Sequence, residues 1–135
     1  MKTVYLDNAA TTQIDDKVIE VMHSSMKENF GNPSSIHQIG RKAKSAVETA
    51  RKNIAKHFNV SASEIVFTAG GTEADNLILH NAVLNLKVKR IITSKIEHHA
   101  VLHTCKYLKS VYNIVVDFVD VDEFGTINLE NLELL

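Results

Sequence analysis

Apolar residues recur at helical spacing near the start of the chain. This pattern predicts a first helix that is capped by Asp15 or Asp16 and ends near residues 29–33, because Pro33 holds the residue before it out of the helical region. One stripe of this helix carries Val18, Met22 and Met26. A short extended segment, residues 4–6, precedes it.

A longer helix is predicted next, with Ser34 or Ser35 as its cap and Asn59 just past its end. Its apolar positions alternate in steps of three and four, as on the buried face of an amphipathic helix. The stripe consists of Ile36, Ile39, Ala43, Val47, Ala50, Ile54 and Phe58.

The second half of the chain alternates between short β-branched runs and helical patterns. We predict strands at 64–68, 90–93 and 114–121, and helices at 72–86 and 98–110. Such alternation is typical of an α/β fold with a parallel or mixed sheet, in which ligands bind at the carboxyl ends of strands. We divide the chain into an extended segment at 1–14, a helical segment at 15–60 and an α/β domain from 61 to 135.

Two glycines and a threonine separate the first predicted strand from its helix, in the segment FTAGGTEADN at residues 67–76. Glycine lets the backbone approach an anion closely, and the first N–H groups of a helix have no partner inside it. With the Thr72 hydroxyl at the predicted N-cap, the turn at Gly70, Gly71 and Thr72 forms a phosphate cup. Taken alone, the same turn is slightly more typical of an ordinary strand-to-helix connection.

The composition of the chain argues against nucleic acid and membranes as partners. The net charge is −1, aromatic residues make up 6% and charged residues 23%, which argues against a nucleic-acid partner. No signal peptide or membrane-length apolar run is visible, and the only cysteine, Cys105, cannot form an internal disulfide. These features predict a cytoplasmic protein that binds no membrane.

The end of the chain predicts one more helix. Asn128 can cap it, and Leu132 and Leu135 begin an apolar stripe at the point where the sequence stops. We expect the chain to be a fragment of a longer protein.

Four motifs occur in order along the chain: YLDNAATT at 5–12, FGNPSSIH at 30–37, FTAGGTEADN at 67–76 and SKIEHHAV at 94–101. Together they resemble the N-terminal part of a cysteine desulfurase of the class V aminotransferase group, in its housekeeping and nitrogen-fixation branch. The resemblance covers the whole chain and implies the α/β fold of fold-type-I pyridoxal-phosphate (PLP) enzymes.

The resemblance implies roles for three residues. Gly71 and Thr72 match the contacts to the cofactor phosphate, and His98 matches the histidine that stacks on the pyridine ring and carries a proton during catalysis. The implied reaction converts L-cysteine into L-alanine and a protein persulfide. That sulfur serves iron–sulfur cluster assembly or tRNA thiolation.

The resemblance also implies a homodimer and a partner that is an iron–sulfur scaffold or a sulfur-acceptor protein. The lysine that binds the cofactor and the nucleophilic cysteine of the family lie beyond position 135. The chain alone is therefore expected to be inactive. A related class V enzyme (a selenocysteine lyase or an aminotransferase) and a non-catalytic fragment remain alternatives.

Other candidates are assigned structural roles. Cys105 lies on the apolar stripe of its helix with Val101 and Leu108, so we predict a core residue and not the nucleophile. Lys95 is predicted to be a solvated loop residue. His99 and His103 are spaced i, i+4, but no third ligand is apparent and no metal site is predicted. His37 either reaches the active site or faces outward from its helix.

Overall fold

The computed structural model describes residues 3–135 and divides the chain into two compact units, Met1–Val66 and Phe67–Leu135. The three-part division predicted from the sequence stays a prediction. None of the helices within the described residues is long and apolar enough to cross a membrane.

The first unit contains helix α1 (Asp16–Glu28), helix α2 (Gln38–Phe58) and a 3-10 turn at Ala62–Glu64. The Asp15 carboxylate caps α1 by accepting from the Lys17 N–H, as predicted. Asn59 ends α2 in the left-handed region with φ 55°, which also agrees with the prediction. Asparagine tolerates this conformation better than most residues.

The predicted cap of α2 is wrong. His37 is the capping residue, and its Nδ1 accepts from the Gly40 N–H at 3.3 Å. Ser34 and Ser35 lie in a turn, where both of their N–H groups are bonded to Asn32. This outcome gives His37 a structural role at the start of α2.

Ile36, which the sequence placed on the apolar stripe of α2, precedes the helix and is 89% exposed. The turn that displaces it depends on Gly40, because a Cβ there would lie 2.6 Å from Ser35 Cβ. Gly40, Ala43 and Ala55 are the residues that α2 buries.

The predicted strand at 64–68 is also wrong. Glu64 belongs to the 3-10 turn, the residues after it are extended without strand structure, and Val66 is 64% exposed. A β-branched apolar run becomes a strand only where a neighbouring strand completes its hydrogen bonds. The two strands that the structure does contain pair with each other.

The second unit contains helix α3 (Gly71–Leu84), strand β1 (Arg90–Ser94), helix α4 (His99–Tyr112), strand β2 (Val115–Val119) and helix α5 (Leu129–Leu134). β1 and β2 are parallel, with Arg90 opposite Val115 and Ser94 opposite Val119. Helix α4 is therefore the crossover of a strand–helix–strand unit, as predicted. Asn128 caps α5, which confirms the last predicted helix.

Most element ends lie within two residues of the prediction, and two of the differences change an interpretation. β2 ends at Val119, and Val121 instead forms an antiparallel bridge with Ile127. Helix α3 begins one residue early, so Gly70 occupies the N-cap position and Thr72 lies inside the first turn. The predicted capping role of the Thr72 hydroxyl is therefore wrong.

The core of the second unit lies between helices α3 and α4 and the two strands. Leu108 and Cys105 are fully buried, which confirms the prediction that Cys105 is a core residue. Val83, Ile114 and Val116 complete the buried cluster. Because burying a Leu side chain contributes about 1.5–3 kcal/mol, these contacts hold α4 on the sheet.

Burial also sets the chemistry of the cysteine. It raises the pKa of the Cys105 thiol above its usual 9.0, and the negative charge of Glu97 raises it further. Since the thiolate is the nucleophilic form, the thiol at this position is unreactive near neutral pH.

The raised pKa predicts a pH-dependent loss of stability. Above pH 9.0 the thiol ionises in the unfolded chain while the folded chain keeps its proton, so the free energy of unfolding falls as the pH rises. We expect the stability advantage of the wild-type chain over Cys105→Ala to be largest below pH 9.0 and to shrink above it. Urea unfolding of both chains at a series of pH values measures this difference. The alanine variant retains every lysine and tyrosine, so an advantage independent of pH would contradict the assignment.

Candidate cofactor site

The turn before α3 offers backbone donors to a ligand. Gly71, Thr72 and Glu73 are the first residues of the helix, and the Ala74 N–H is the first that bonds back to the turn, to the Gly70 carbonyl at 3.1 Å. Within residues 3–135, no hydrogen-bond acceptor serves the N–H groups of Gly71 and Thr72. They are left to water or to a ligand at the positive end of the helix dipole.

Glu73 fixes the shape of this turn. Its carboxylate accepts from the Ala69 N–H, four residues earlier. The turn is thereby closed onto the helix, while the N–H groups of Gly71 and Thr72 remain available. An acidic residue in the first turn also suits the helix dipole.

The two glycines of the turn are not required by the fold around them. A Cβ added at Gly70 or at Gly71 would meet nothing within 4 Å. Neither residue has a left-handed φ, and Gly70 is extended with φ 166°. The space that side chains would fill beside the turn is therefore open, which leaves room for an anion to approach the backbone.

A cavity of about 450 Å³ lies against this turn, lined by residues 69–73 and Asn76. A second cavity of about 400 Å³ lies between α3 and α4 and is lined by Thr72, Asn76 and His98 among others. Thr72 and Asn76 border both. Both volumes fall within the range of about 300–1,000 Å³ that is usual for small-molecule sites.

His98 is held by the backbone of α4. It is the N-cap, and its Nδ1 accepts from the Ala100 N–H at 3.1 Å. Because Nδ1 is the acceptor, the neutral ring carries its proton on Nε2. The helix thus fixes both the tautomer and the direction of the imidazole ring, which is solvent-exposed on the cavity side.

The structure brings two of the three predicted site residues, Thr72 and His98, to one cavity and places Gly71 on the adjoining cavity. Their roles toward a cofactor stay predictions. Lys95 is exposed and lines neither of these two cavities, in keeping with a solvated loop residue.

Several residues that line the cavity between α3 and α4 were not predicted as site residues from the sequence. On α3 these occupy every fourth position after Thr72, and on α4 they follow the same spacing. They are Asn76, His80, His99, Ala100, His103, Thr104 and Tyr107. Residues four apart share a helix face, so a polar stripe on each helix could have been recognised from spacing, but not that the two stripes face each other.

The histidines of this cavity contact other rings. The His99 and His103 rings are stacked, with centroids 5.2 Å apart, and His80 contacts Tyr107 at 5.7 Å. In the described part of the chain, no three His, Cys, Asp or Glu residues are grouped so that they could hold a metal ion. Imidazole and phenol rings thus form part of the cavity wall.

Comparison with known proteins identifies the family. The family model described as aminotransferase class-V matches residues 4–135. The cysteine desulfurase IscS of Methanosarcina thermophila is 47% identical over 133 residues, which cover 97% of this chain and 33% of that protein.

Two solved structures share the fold. A NifS-like protein has a TM-score of 0.87 and 45% identity, covering 95% of this chain and 35% of its own. SspA in complex with cysteine has a TM-score of 0.87 and 35% identity, covering 98% of this chain and 38% of its own. The chain thus spans about a third of the length of the relatives that it matches. With a family match from residue 4 to residue 135, the chain belongs to the class V aminotransferases, which are pyridoxal-phosphate enzymes.

Proposed function

We propose that this chain is the N-terminal part of a cysteine desulfurase that converts L-cysteine into L-alanine and transfers the sulfur to an enzyme cysteine as a persulfide. The observation that carries the proposal is the 47% identity to a cysteine desulfurase across 97% of the chain, which includes the turn at Gly71 and the N-cap His98. The similar structure of SspA in complex with cysteine supports L-cysteine as the substrate.

The chain's residues fit the cofactor that the family uses. The N–H groups of Gly71 and Thr72 would bind the phosphate of pyridoxal 5′-phosphate, where the glycines leave room for it. When bound, the pyridine ring of this cofactor withdraws electrons from the substrate's α-carbon.

His98 would lie against the pyridine ring. With Nδ1 committed to the Ala100 N–H, Nε2 is the ring atom that can hold or release a proton at the site. The cap bond orients the ring, and the neighbouring His99 ring lies 6.2 Å from it between centroids.

Sulfur transfer requires an accessible thiolate. Cys105 is fully buried and its pKa is raised, so it does not meet that requirement. We assign the persulfide cysteine, and the lysine that binds the cofactor, to the part of the family's length that this chain does not span.

We also propose an oligomeric state, a compartment and a sulfur acceptor for the intact protein. The intact protein is a homodimer of the cytoplasm and delivers sulfur to an iron–sulfur scaffold or another sulfur-acceptor protein. The names of the relatives, cysteine desulfurase IscS, support the sulfur-transfer role.

Gly71→Ala tests the phosphate site. The variant should weaken binding of pyridoxamine 5′-phosphate by about tenfold, because the added Cβ keeps the phosphate from its charge-assisted hydrogen bonds. The free energy of unfolding should rise by about 0.5 kcal/mol, since alanine restricts the unfolded chain and meets nothing within 4 Å in the folded one. Fluorescence anisotropy of the ligand and urea unfolding measure the two effects.

Gly40→Ala is the matched control for stability. Its Cβ would lie 2.6 Å from Ser35 Cβ, so this substitution should destabilise the chain. If Gly71→Ala also destabilised the chain, the glycine would serve the fold. If it left the affinity unchanged, the open space at Gly71 would not serve phosphate binding.

Two substitutions of His98 separate its capping role from its contact with the cofactor. Asparagine is a good N-cap residue, so His98→Asn should retain stability, whereas His98→Ala should cost about 1 kcal/mol. Both remove the imidazole face and should weaken binding of pyridoxamine 5′-phosphate by about fivefold. Wild-type affinity in the asparagine variant would show that His98 serves only as a cap.

A further inference from the structure

Asn76 occupies the boundary between the phosphate-binding turn and the histidine side of the site. It lies on α3 one turn after Thr72, is half-buried, and lines both the cavity at the turn and the cavity between α3 and α4.

The hydrogen bonds of Asn76 fix the orientation of its amide. A carbonyl oxygen can only accept, so the atom 2.7 Å from the Thr72 carbonyl is Nδ2, which donates. Oδ1 therefore faces the Thr104 hydroxyl at 2.7 Å, and the hydroxyl donates to it. One side chain thus joins the first turn of α3 to the middle of α4.

The burial of Thr104 stabilises its hydrogen bond to Asn76. Thr104 is only 6% exposed, and a buried hydroxyl without a partner is costly, so the bond to Asn76 is strongly favoured. Thr104 lies on the same helix as the N-cap His98, about 9 Å along its axis at the usual rise per residue. The position of α4 against α3 sets the position of His98 relative to Thr72.

We propose that Asn76 is a positioning residue that holds the phosphate-binding N–H groups and His98 at the separation that a phosphorylated pyridine ring requires. This inference rests on the proposed function. A ligand with both a phosphate and a ring must engage both ends at once, so a fixed separation removes an ordering cost from its binding. Inorganic phosphate engages only the turn and gains nothing from that separation.

This difference between the two ligands provides the test. Asn76→Ala and Thr104→Val should each weaken binding of pyridoxamine 5′-phosphate by about tenfold and change the affinity for inorganic phosphate by less than about twofold. Thr104→Ser keeps the hydroxyl and should restore the wild-type preference. Ligand anisotropy, with inorganic phosphate as competitor, measures both affinities in the full chain.

Asn81→Ala is the matched control, because Asn81 is an exposed residue of the same helix that lines neither cavity. It should leave both affinities unchanged. Equal weakening of both ligands by Asn76→Ala and Thr104→Val would indicate a general structural role and overturn the inference, as would no weakening of either.

The wild-type chain separates this inference from the proposed function. If it binds pyridoxamine 5′-phosphate no more tightly than inorganic phosphate, the proposed cofactor roles of the turn and of His98 fail, and the inference fails with them. If the wild-type preference is present and persists in Asn76→Ala and Thr104→Val, only the inference fails.

Discussion

The site depends on a small number of backbone N–H groups that a helix cannot satisfy by itself. At the start of α3, two of these groups, on Gly71 and Thr72, have no protein acceptor anywhere in residues 3–135. The Glu73 carboxylate accepts from the Ala69 N–H, so this donor of the turn is satisfied while those of Gly71 and Thr72 are not. An anion placed there would meet directed N–H donors and the positive end of the helix dipole, in the space that is open because glycine has no side chain.

The second half of the site follows from how α4 is anchored. Cys105 and Leu108 are fully buried on one side of the helix, and Thr104 bonds to Asn76 toward α3. At the start of the same helix, the imidazole of His98 replaces the usual Ser, Thr or Asp as N-cap. The packing that stabilises the fold therefore also determines where the histidine ring lies.

Sequence patterns predicted those parts of the fold that local chemistry decides. The alternation of strands and helices after residue 70, the caps at Asp15 and Asn128, and the burial of Cys105 all agree with the structure. These depend on periodicity and on side chains that bond to their own backbone.

The predictions that were wrong concern residues whose structure depends on a partner distant in sequence or on an unusual capping residue. The run at 64–68 has the composition of a strand, but in the structure none of these residues belongs to a strand. Ser34 and Ser35 are common capping residues, yet a turn closed by Asn32 takes both, and an imidazole caps α2. Asn76 was visible within a motif, but its importance depends on Thr104, 28 positions later, which single-residue reasoning does not pair with it.

The most direct test of the account is an amide titration of the isotope-labelled chain with pyridoxamine 5′-phosphate and, separately, with pyridoxamine. Neither ligand carries the aldehyde that would react with lysines. Saturable shifts are expected at the Gly71 and Thr72 N–H signals with the phosphorylated ligand alone, because those two groups bind the phosphate. Equal shifts with both ligands, or shifts confined to other residues, would contradict it.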